Sequence, residues 1–184
     1  MSKTILALGD SLCAGFGLPL HSSFASQLQK ALLQRGHKIQ VINAGISGDS
    51  TAGGLARADR ELQSDPDLVF LELGINDAAM GEEPARIQAN LEGIIQKIRA
   101  RNAGVVLAGT DLPPEFGSSK RQQHARIFSS LAQEYRLLLV PDLLAGVPGN
   151  PDLTLPDGLH PNERGVQSML EQALPTVEKA LQDI

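Results

Sequence analysis

The chain has 184 residues, of which 42% are hydrophobic and 20% are charged, a composition typical of a globular protein with a sizeable core. Its formal net charge of -5 argues against nucleic acid or an anionic membrane surface as a partner, because both would repel it. The single cysteine, Cys13, excludes an internal disulfide and a metal site built from cysteines.

The chain shows no linker, internal repeat or low-complexity segment, so we expect one domain over residues 1–184. Its apolar runs are far shorter than the ~20 residues of a membrane-spanning helix, so no stable membrane insertion is expected. The first apolar segment begins at Thr4, with no basic and apolar leader before it. The expected location is therefore the cytoplasm, and the oligomeric state is left open.

The first predicted element is a buried strand that ends next to a candidate nucleophile. Residues 4–8 are apolar and are followed by Gly9, which is typical of a central strand in a parallel sheet. Ser11 then lies just past the carboxyl end of that strand, where open α/β sheets bind their ligands. Small residues around Ser11 leave room for a substrate, although a polar turn residue explains this segment equally well.

The rest of the chain alternates helical periodicity with short apolar strands. The further predicted strands cover residues 38–43, 68–73, 104–108 and 137–140. The predicted helices run from a cap at Ser22 or Ser23 to Gln34, and over residues 55–63, 84–100, 120–135 and 161–181. The main loops between them cover residues 44–54, 110–119 and 142–156.

This alternation predicts right-handed crossovers and one parallel sheet that is covered by helices on both faces. The expected fold class is therefore α/β, a three-layer αβα sandwich. Five strands suit the flavodoxin-like order 2-1-3-4-5, which makes the first strand central and places its loop at the switch point of the sheet.

Polar residues gather in the loops at the predicted carboxyl edge of this sheet. Ser11, Gly48 and Asn76 follow the first three strands, so they are expected to converge there. The pair Asp157 and His160 precedes the last helix and joins them if its loop returns to the same edge. His160 is then the base for Ser11, and Asp157 orients its ring, as in serine hydrolases.

The other three histidines, His21, His37 and His124, are expected at the surface. Acyl transfer also needs donors that stabilise the developing oxyanion. The candidates are the backbone N–H groups of Ser11 and Gly48 and the side-chain amide of Asn76. Alternatively, Gly48 is a turn residue and Asn76 bonds its own backbone.

Four sequence blocks, GDSLCAG, ISGDS, GIND and DGLHP, resemble those of the SGNH (GDSL-type) hydrolases, in the family's order. The four family letters correspond to Ser11, Gly48, Asn76 and His160. The resemblance extends over nearly the whole chain and is greatest to the small bacterial esterase, thioesterase and lysophospholipase branch. It implies an acyl-enzyme on Ser11 and no metal or cofactor. One departure is Ile75, where members of this branch often have a second glycine.

The expected substrate is a small-molecule ester or thioester of a small to medium acyl chain. The residues predicted to line its pocket are mostly apolar: Ile75, Ala79, Met80, Leu112, Phe116, Leu155 and Leu159. With only five Phe, one Tyr and no Trp in the chain, stacking on a polysaccharide is disfavoured.

Two other classes of function compete with this interpretation, and neither explains the pair Asp157 and His160. The glycine-rich loop could serve a flavodoxin-like module that binds phosphate or flavin, although it lacks the usual phosphate-binding motifs. A metal-dependent phosphohydrolase could use acids at the strand ends, namely Asp10, Asp77, Asp111 and Asp142. Cys13 as nucleophile is a minor alternative, because a lone small thiol usually packs in the core.

Overall fold

The computed structural model describes residues 2–184, and its centre is a five-stranded parallel sheet with the order β2-β1-β3-β4-β5. The predicted fold class and strand order are thereby confirmed. The strands are β1 (Lys3–Gly9), β2 (Ile39–Gly45), β3 (Leu68–Glu72), β4 (Gly104–Ala108) and β5 (Leu138–Val140).

Helices cover both faces of the sheet. They are α1 (Ser11–Ala14), α2 (Phe24–Gln34), α3 (Thr51–Glu61), α4 (Ile75–Met80), α5 (Pro84–Ala100), α6 (Ser118–Tyr135) and α7 (Glu163–Gln182). Short 3-10 turns occur at Leu20–Ser22, Leu62–Ser64 and Pro114–Phe116. In residues 2–184, the helices are all too short or too polar to cross a membrane.

The core consists of two apolar layers, one on each face of the sheet. Side chains alternate along β1, so Ile5 and Ala7 pack against α1, α2 and α7, whereas Leu6 and Leu8 face α4, α5 and α6. The apolar stripe of α5 (Ile87, Leu91, Ile94, Ile95 and Ile98) is fully buried. Burying one such side chain contributes about 1.5–3 kcal/mol, so this stripe anchors the second layer firmly.

The register of the sheet brings the carboxyl ends of the central strands together. Gly9 is paired with Gly45 of β2 and with Glu72 of β3, and Glu72 is paired with Ala108 of β4. The segments that follow β1, β2 and β3 therefore begin side by side at one edge, as the parallel topology requires.

Several boundaries differ from the sequence prediction, most of all around the glycine-rich segment. A loop was expected over residues 44–54, but β2 continues to Gly45 and α3 begins at Thr51. The helix begins early because the Ser50 hydroxyl caps it by accepting a hydrogen bond from the Gly53 N–H at 3.1 Å. The segments after Asp10 and Gly74 are also short helices rather than open loops.

Candidate active site

Ser11 is the first residue of α1, directly after the central strand. The Asp10 carboxylate caps this short helix by accepting a hydrogen bond from the Leu12 N–H at 3.0 Å. Packing is so tight here that a Cβ at Gly9 would lie 2.5 Å from the Cys13 sulfur and 2.8 Å from the Glu72 carbonyl oxygen. The turn that presents Ser11 therefore needs glycine before it.

The structure brings Ser11, His160 and Asp157 into one hydrogen-bonded chain. The Ser11 Oγ lies 3.2 Å from Nε2 of His160, although the two residues are 149 positions apart. On the other side of the ring, Nδ1 lies 2.6 Å from Oδ2 of Asp157. A proton on Nδ1 donates to that carboxylate and leaves Nε2 free to accept the Ser11 hydroxyl proton.

The loop before α7 holds His160 at this edge through its own backbone. The Leu155 N–H donates to the His160 carbonyl at 2.8 Å, and Thr154 forms a β-bridge with Pro161. The Asn162 side chain caps α7 and also donates to the Thr154 carbonyl at 3.1 Å. The imidazole thus depends on a loop that is anchored to a 20-residue helix.

Asp157 is itself oriented by the segment that it supports. Its Oδ1 accepts hydrogen bonds from the N–H groups of Leu159 and His160 at 2.9 and 3.0 Å. Burial alone would raise the pKa of the Asp157 carboxyl, but the hydrogen bonds from Leu159 and His160 outweigh it and lower the pKa. The carboxylate is therefore ionised near neutral pH, as an orienting partner of His160 must be.

Asn76 lies in α4, and its amide joins the segments that follow β1 and β2. Nδ2 donates to Oδ2 of Asp10 at 3.1 Å and to the Asp49 carbonyl at 2.9 Å. Gly48, the residue before Asp49, is exposed and has a φ of 79°, a left-handed conformation that favours glycine. Ser11, Gly48 and Asn76 therefore surround the same edge.

A cavity of about 160 Å³ opens beside Ser11 and His160. Its walls include five residues that were predicted to line it: Ile75, Ala79, Leu112, Phe116 and Leu159. Met80 and Leu155, which were also predicted to line the substrate pocket, are not among the residues around this cavity. Met80 is the last residue of α4 and is 72% exposed, because the helix turns its side chain to solvent. Leu155 packs towards Gly17 and borders a separate surface pocket.

Comparison with protein families settles which family this arrangement represents. The profile of the GDSL-like lipase/acylhydrolase family matches residues 7–167. The chain belongs to this family. Esterase TesA of Pseudomonas aeruginosa is 39% identical, and the match covers 98% of this chain and 90% of that protein. An arylesterase of Vibrio mimicus is 41% identical over 87% of this chain and 80% of its own.

Solved structures agree with the family assignment. A crystal structure of TesA matches with a TM-score of 0.94 and 39% identity over 97% of this chain and 99% of that one. The esterase EstA from Pseudoalteromonas, inhibited by monoethylphosphonate, matches with a TM-score of 0.91 and 30% identity over 98% of this chain and 100% of that one. Both likenesses extend over nearly the whole chain.

Beneath Ser11, this GDSL-family chain buries two carboxyl groups that were not predicted as a pair. Glu72 is fully buried at the end of β3, and its Oε2 accepts a hydrogen bond from the Asp10 N–H at 3.3 Å. Burial raises the pKa of Glu72 well above its ordinary value, and the nearby Asp10 charge raises it further. Burial also raises the pKa of Asp10 to about 6, although hydrogen bonds from Leu12 and Glu72 oppose the rise. The sequence signal was a charged residue inside the apolar run LVFLEL.

His124 is a further correction, because its expected surface position is wrong. Its ring is 2% exposed and packs edge-on against Phe128, with ring centroids 5.1 Å apart. Neither ring nitrogen has a hydrogen-bond partner in residues 2–184. His21 is exposed, and His37 is partly exposed and lies 3.3 Å from Glu178. His124 lies on the same face of α6 as the buried residues Ile127 and Phe128, three and four positions later. This helical spacing is the sequence feature that could have predicted its burial.

The acids of the competing phosphohydrolase interpretation have other partners in the structure. Asp77 accepts hydrogen bonds from Thr51, whereas Asp111 pairs with Arg121, and Asp142 accepts the Asp111 N–H at 3.0 Å. Within residues 2–184, no group of three or more His, Cys, Asp or Glu side chains is arranged to hold a metal ion. Cys13 is buried, and burial raises the pKa of its thiol, which disfavours the nucleophilic thiolate.

Proposed function

We propose that the protein hydrolyses carboxylic esters or thioesters of small to medium acyl chains through an acyl-enzyme on Ser11. The observation that carries this proposal is the hydrogen-bonded chain from Ser11 through His160 to Asp157, at the mouth of an apolar cavity. Relatives are named as an esterase, an arylesterase and a thioesterase/lysophospholipase, which supports the same class of substrate.

In the first half of the reaction, Oγ of Ser11 attacks the substrate carbonyl carbon. His160 Nε2 takes the hydroxyl proton as the new C–O bond forms, and Asp157 stabilises the resulting imidazolium. The tetrahedral intermediate then collapses, and the bond to the leaving group breaks. His160 returns its proton to the departing oxygen or sulfur, which leaves an ester between Ser11 and the acyl group.

The second half uses the same groups with water as the nucleophile. His160 removes a proton from the water molecule, whose oxygen attacks the acyl carbonyl carbon. The bond to Oγ breaks, Ser11 regains its proton from His160, and the carboxylic acid leaves. In each step the imidazole of His160 accepts one proton and then returns it. The proposed reaction therefore balances without a metal or cofactor.

In this proposal, three donors stabilise the oxyanion of each tetrahedral intermediate. The N–H of Ser11 belongs to the first turn of α1, where backbone donors have no acceptor within the helix. The N–H of Gly48 and Nδ2 of Asn76 complete the set. Because Nδ2 already donates to Asp10 and Asp49, the oxyanion has to compete for one of those hydrogens. Loss of one such donor typically costs about 2.7–4 kcal/mol of transition-state stabilisation.

The apolar walls of the cavity favour the acyl chain as its occupant. Ile75, Leu112 and Leu159 line the cavity together with Ser11. Phe116 lines both this cavity and a larger one of about 590 Å³. Burial of each methylene of the chain contributes about 0.8 kcal/mol, so KM is expected to fall as the chain grows until the cavity is filled.

The test compares the wild type with Ser11→Ala on p-nitrophenyl esters of graded chain length and on one acyl thioester. The exposed Ser129→Ala variant in α6 is the matched control for loss of a hydroxyl. We expect kcat to fall by more than about 1,000-fold in Ser11→Ala and to stay unchanged in the control. Hydrolysis by Ser11→Ala at more than a tenth of the wild-type rate would remove the nucleophile from the proposal.

The cytoplasmic location and the absence of nucleic-acid binding remain predictions from the sequence. Fractionation of cells that express the native protein would test the first. Titration of a labelled duplex at low salt, where electrostatic binding is strongest, would test the second.

A further inference from the structure

Arg57 is a buried arginine that connects three backbone segments around Ser11. It lies on α3 and is 9% exposed, and all three nitrogens of its guanidinium group donate hydrogen bonds. Nη2 donates to the Gly9 carbonyl at 2.9 Å, and Nη1 donates to the Ala44 carbonyl at 2.7 Å. These carbonyls stand at the ends of β1 and β2, so one side chain spans the two adjacent strand ends from which the Ser11 and Gly48 segments continue.

The third hydrogen bond of Arg57 leads towards the oxyanion donors. Nε donates to Oδ2 of Asp49 at 2.8 Å, and the backbone carbonyl of the same Asp49 accepts Nδ2 of Asn76 at 2.9 Å. The other carboxylate oxygen accepts the Ser50 N–H at 2.9 Å. Asp49 is also confined by Gly53, where a Cβ would lie 1.9 Å from Oδ1. The residue next to Gly48 is therefore held at both its side chain and its backbone.

We infer that Arg57 is a positioning residue for the oxyanion donors, acting through Gly9, Asp49 and Asn76 without touching the substrate. This inference rests on the proposed function, since it assigns Arg57 to the transition state of that reaction. Donors must lie within about 0.5 Å of the productive geometry to stabilise an oxyanion fully. A planar group with donors in a fixed fork meets that requirement for three separate acceptors.

Lysine at this position keeps the charge opposite Asp49 but not the geometry. A single ammonium nitrogen cannot reach the Gly9 and Ala44 carbonyls and the Asp49 carboxylate with the separation that the guanidinium provides. Arg57→Lys is therefore expected to let the 46–50 segment shift while the ion pair persists. Arg60→Lys is the matched control, because Arg60 lies on the same helix with its side chain 68% exposed.

The experiment is a double-mutant cycle between Arg57→Lys and Asn76→Ala, measured as kcat and KM on one p-nitrophenyl ester. Active sites are first titrated with a p-nitrophenyl phosphonate, so that every kcat refers to correctly folded enzyme. Thermal melts set an assay temperature well below the transition of each variant. A role limited to folding would lower the melting temperature and the number of titrated sites but not the kcat per site.

We expect Arg57→Lys to lower kcat per site by about 10- to 100-fold with KM changed less than about twofold, and Arg60→Lys to match the wild type. In the Asn76→Ala background the loss should be at least about threefold smaller, because the donor that Arg57 positions is already gone. Equal losses in the two backgrounds, or an unchanged kcat in Arg57→Lys, would overturn the inference.

Asp49→Asn provides the same cycle if Arg57→Lys does not fold, since it weakens the contact to Arg57 and keeps the backbone carbonyl that Asn76 uses. The same criterion of equal or unequal losses applies to it. Ser11→Ala separates the two proposals. Wild-type hydrolysis that survives in Ser11→Ala contradicts the proposed function itself. Hydrolysis that depends on Ser11 but has the same kcat per site in Arg57→Lys contradicts only the role of Arg57.

Discussion

Replacing His124 with phenylalanine should stabilise the protein, and more so at acidic pH. The imidazole is enclosed between Phe128 and Gly74, with Cε1 lying 3.7 Å from the position of a Cβ on Gly74. Its two nitrogens have no hydrogen-bond partner in residues 2–184. Phenylalanine keeps an aromatic ring and removes both polar atoms, and the adjoining cavity of about 590 Å³ accommodates the larger ring.

The magnitude follows from the pKa of His124, which burial lowers from 6.5 to about 4. Asp111 and Asp77 oppose this change by attracting the imidazolium, and Lys120 adds to it. As pH falls, the unfolded chain binds a proton near pH 6.5, whereas the folded chain does not until near pH 4. The wild type therefore loses stability across this interval, by about 3 kcal/mol in total at 1.36 kcal/mol per pKa unit.

The assay is urea unfolding of the wild type and His124→Phe between pH 7.5 and pH 4, with His21→Gln as a control at an exposed histidine. At pH 7.5 we expect the variant to be more stable by about 1–3 kcal/mol, the cost of an unpaired buried polar group. That advantage should grow by about 3 kcal/mol at pH 4, whereas His21→Gln should stay parallel to the wild type. An advantage that does not change with pH would refute the reasoning.

Three further predictions concern other contacts in the structure. Glu72→Gln should raise the free energy of unfolding, and by more as pH rises above about 4.5. The reason is that the wild-type carboxyl ionises in the unfolded chain at this pH, whereas its raised pKa disfavours ionisation in the folded protein. Urea unfolding of both proteins at pH 5 and pH 8 measures the difference. Asn162→Ala should lower the free energy of unfolding by about 1–2 kcal/mol, because the N-cap of α7 is lost. Chemical denaturation of the variant and the wild type measures this loss. Gly53→Ala should reduce kcat about tenfold in steady-state assays despite better helix propensity, because its Cβ displaces Asp49.

The fold was largely predictable because the apolar patterns are local. Most strands are short apolar runs that end near a glycine or polar residue, whereas β2 alternates apolar and polar residues. Each long helix carries a periodic stripe that packs on the sheet. Parallel strands with helical crossovers have few allowed arrangements, so the strand order could also be predicted. Boundaries were less predictable, as at Thr51, where a single serine cap starts α3 within a segment whose glycines suggest a loop.

The candidate site was predictable only in part. The sequence blocks predicted Ser11, Gly48, Asn76, Asp157 and His160 as site residues, and these residues lie at one edge of the sheet in the structure. The pocket wall was less predictable, because Met80 and Leu155 have suitable chemistry but point elsewhere. The direction of side chains in a short helix such as α4 depends on where that helix packs. Six residues are too few to show this as a periodic pattern in the sequence.

By itself the sequence determined the α/β class, the five strands and the residues at their carboxyl ends, because the pattern of apolar and polar side chains encodes which face of each element is buried. Only the tertiary structure decided that His160 meets Ser11 across 149 positions and that Arg57, Glu72 and His124 are buried. The environment of a polar side chain depends on carbonyls and carboxylates contributed by distant segments. Those partners exist only once the strands and helices have assembled.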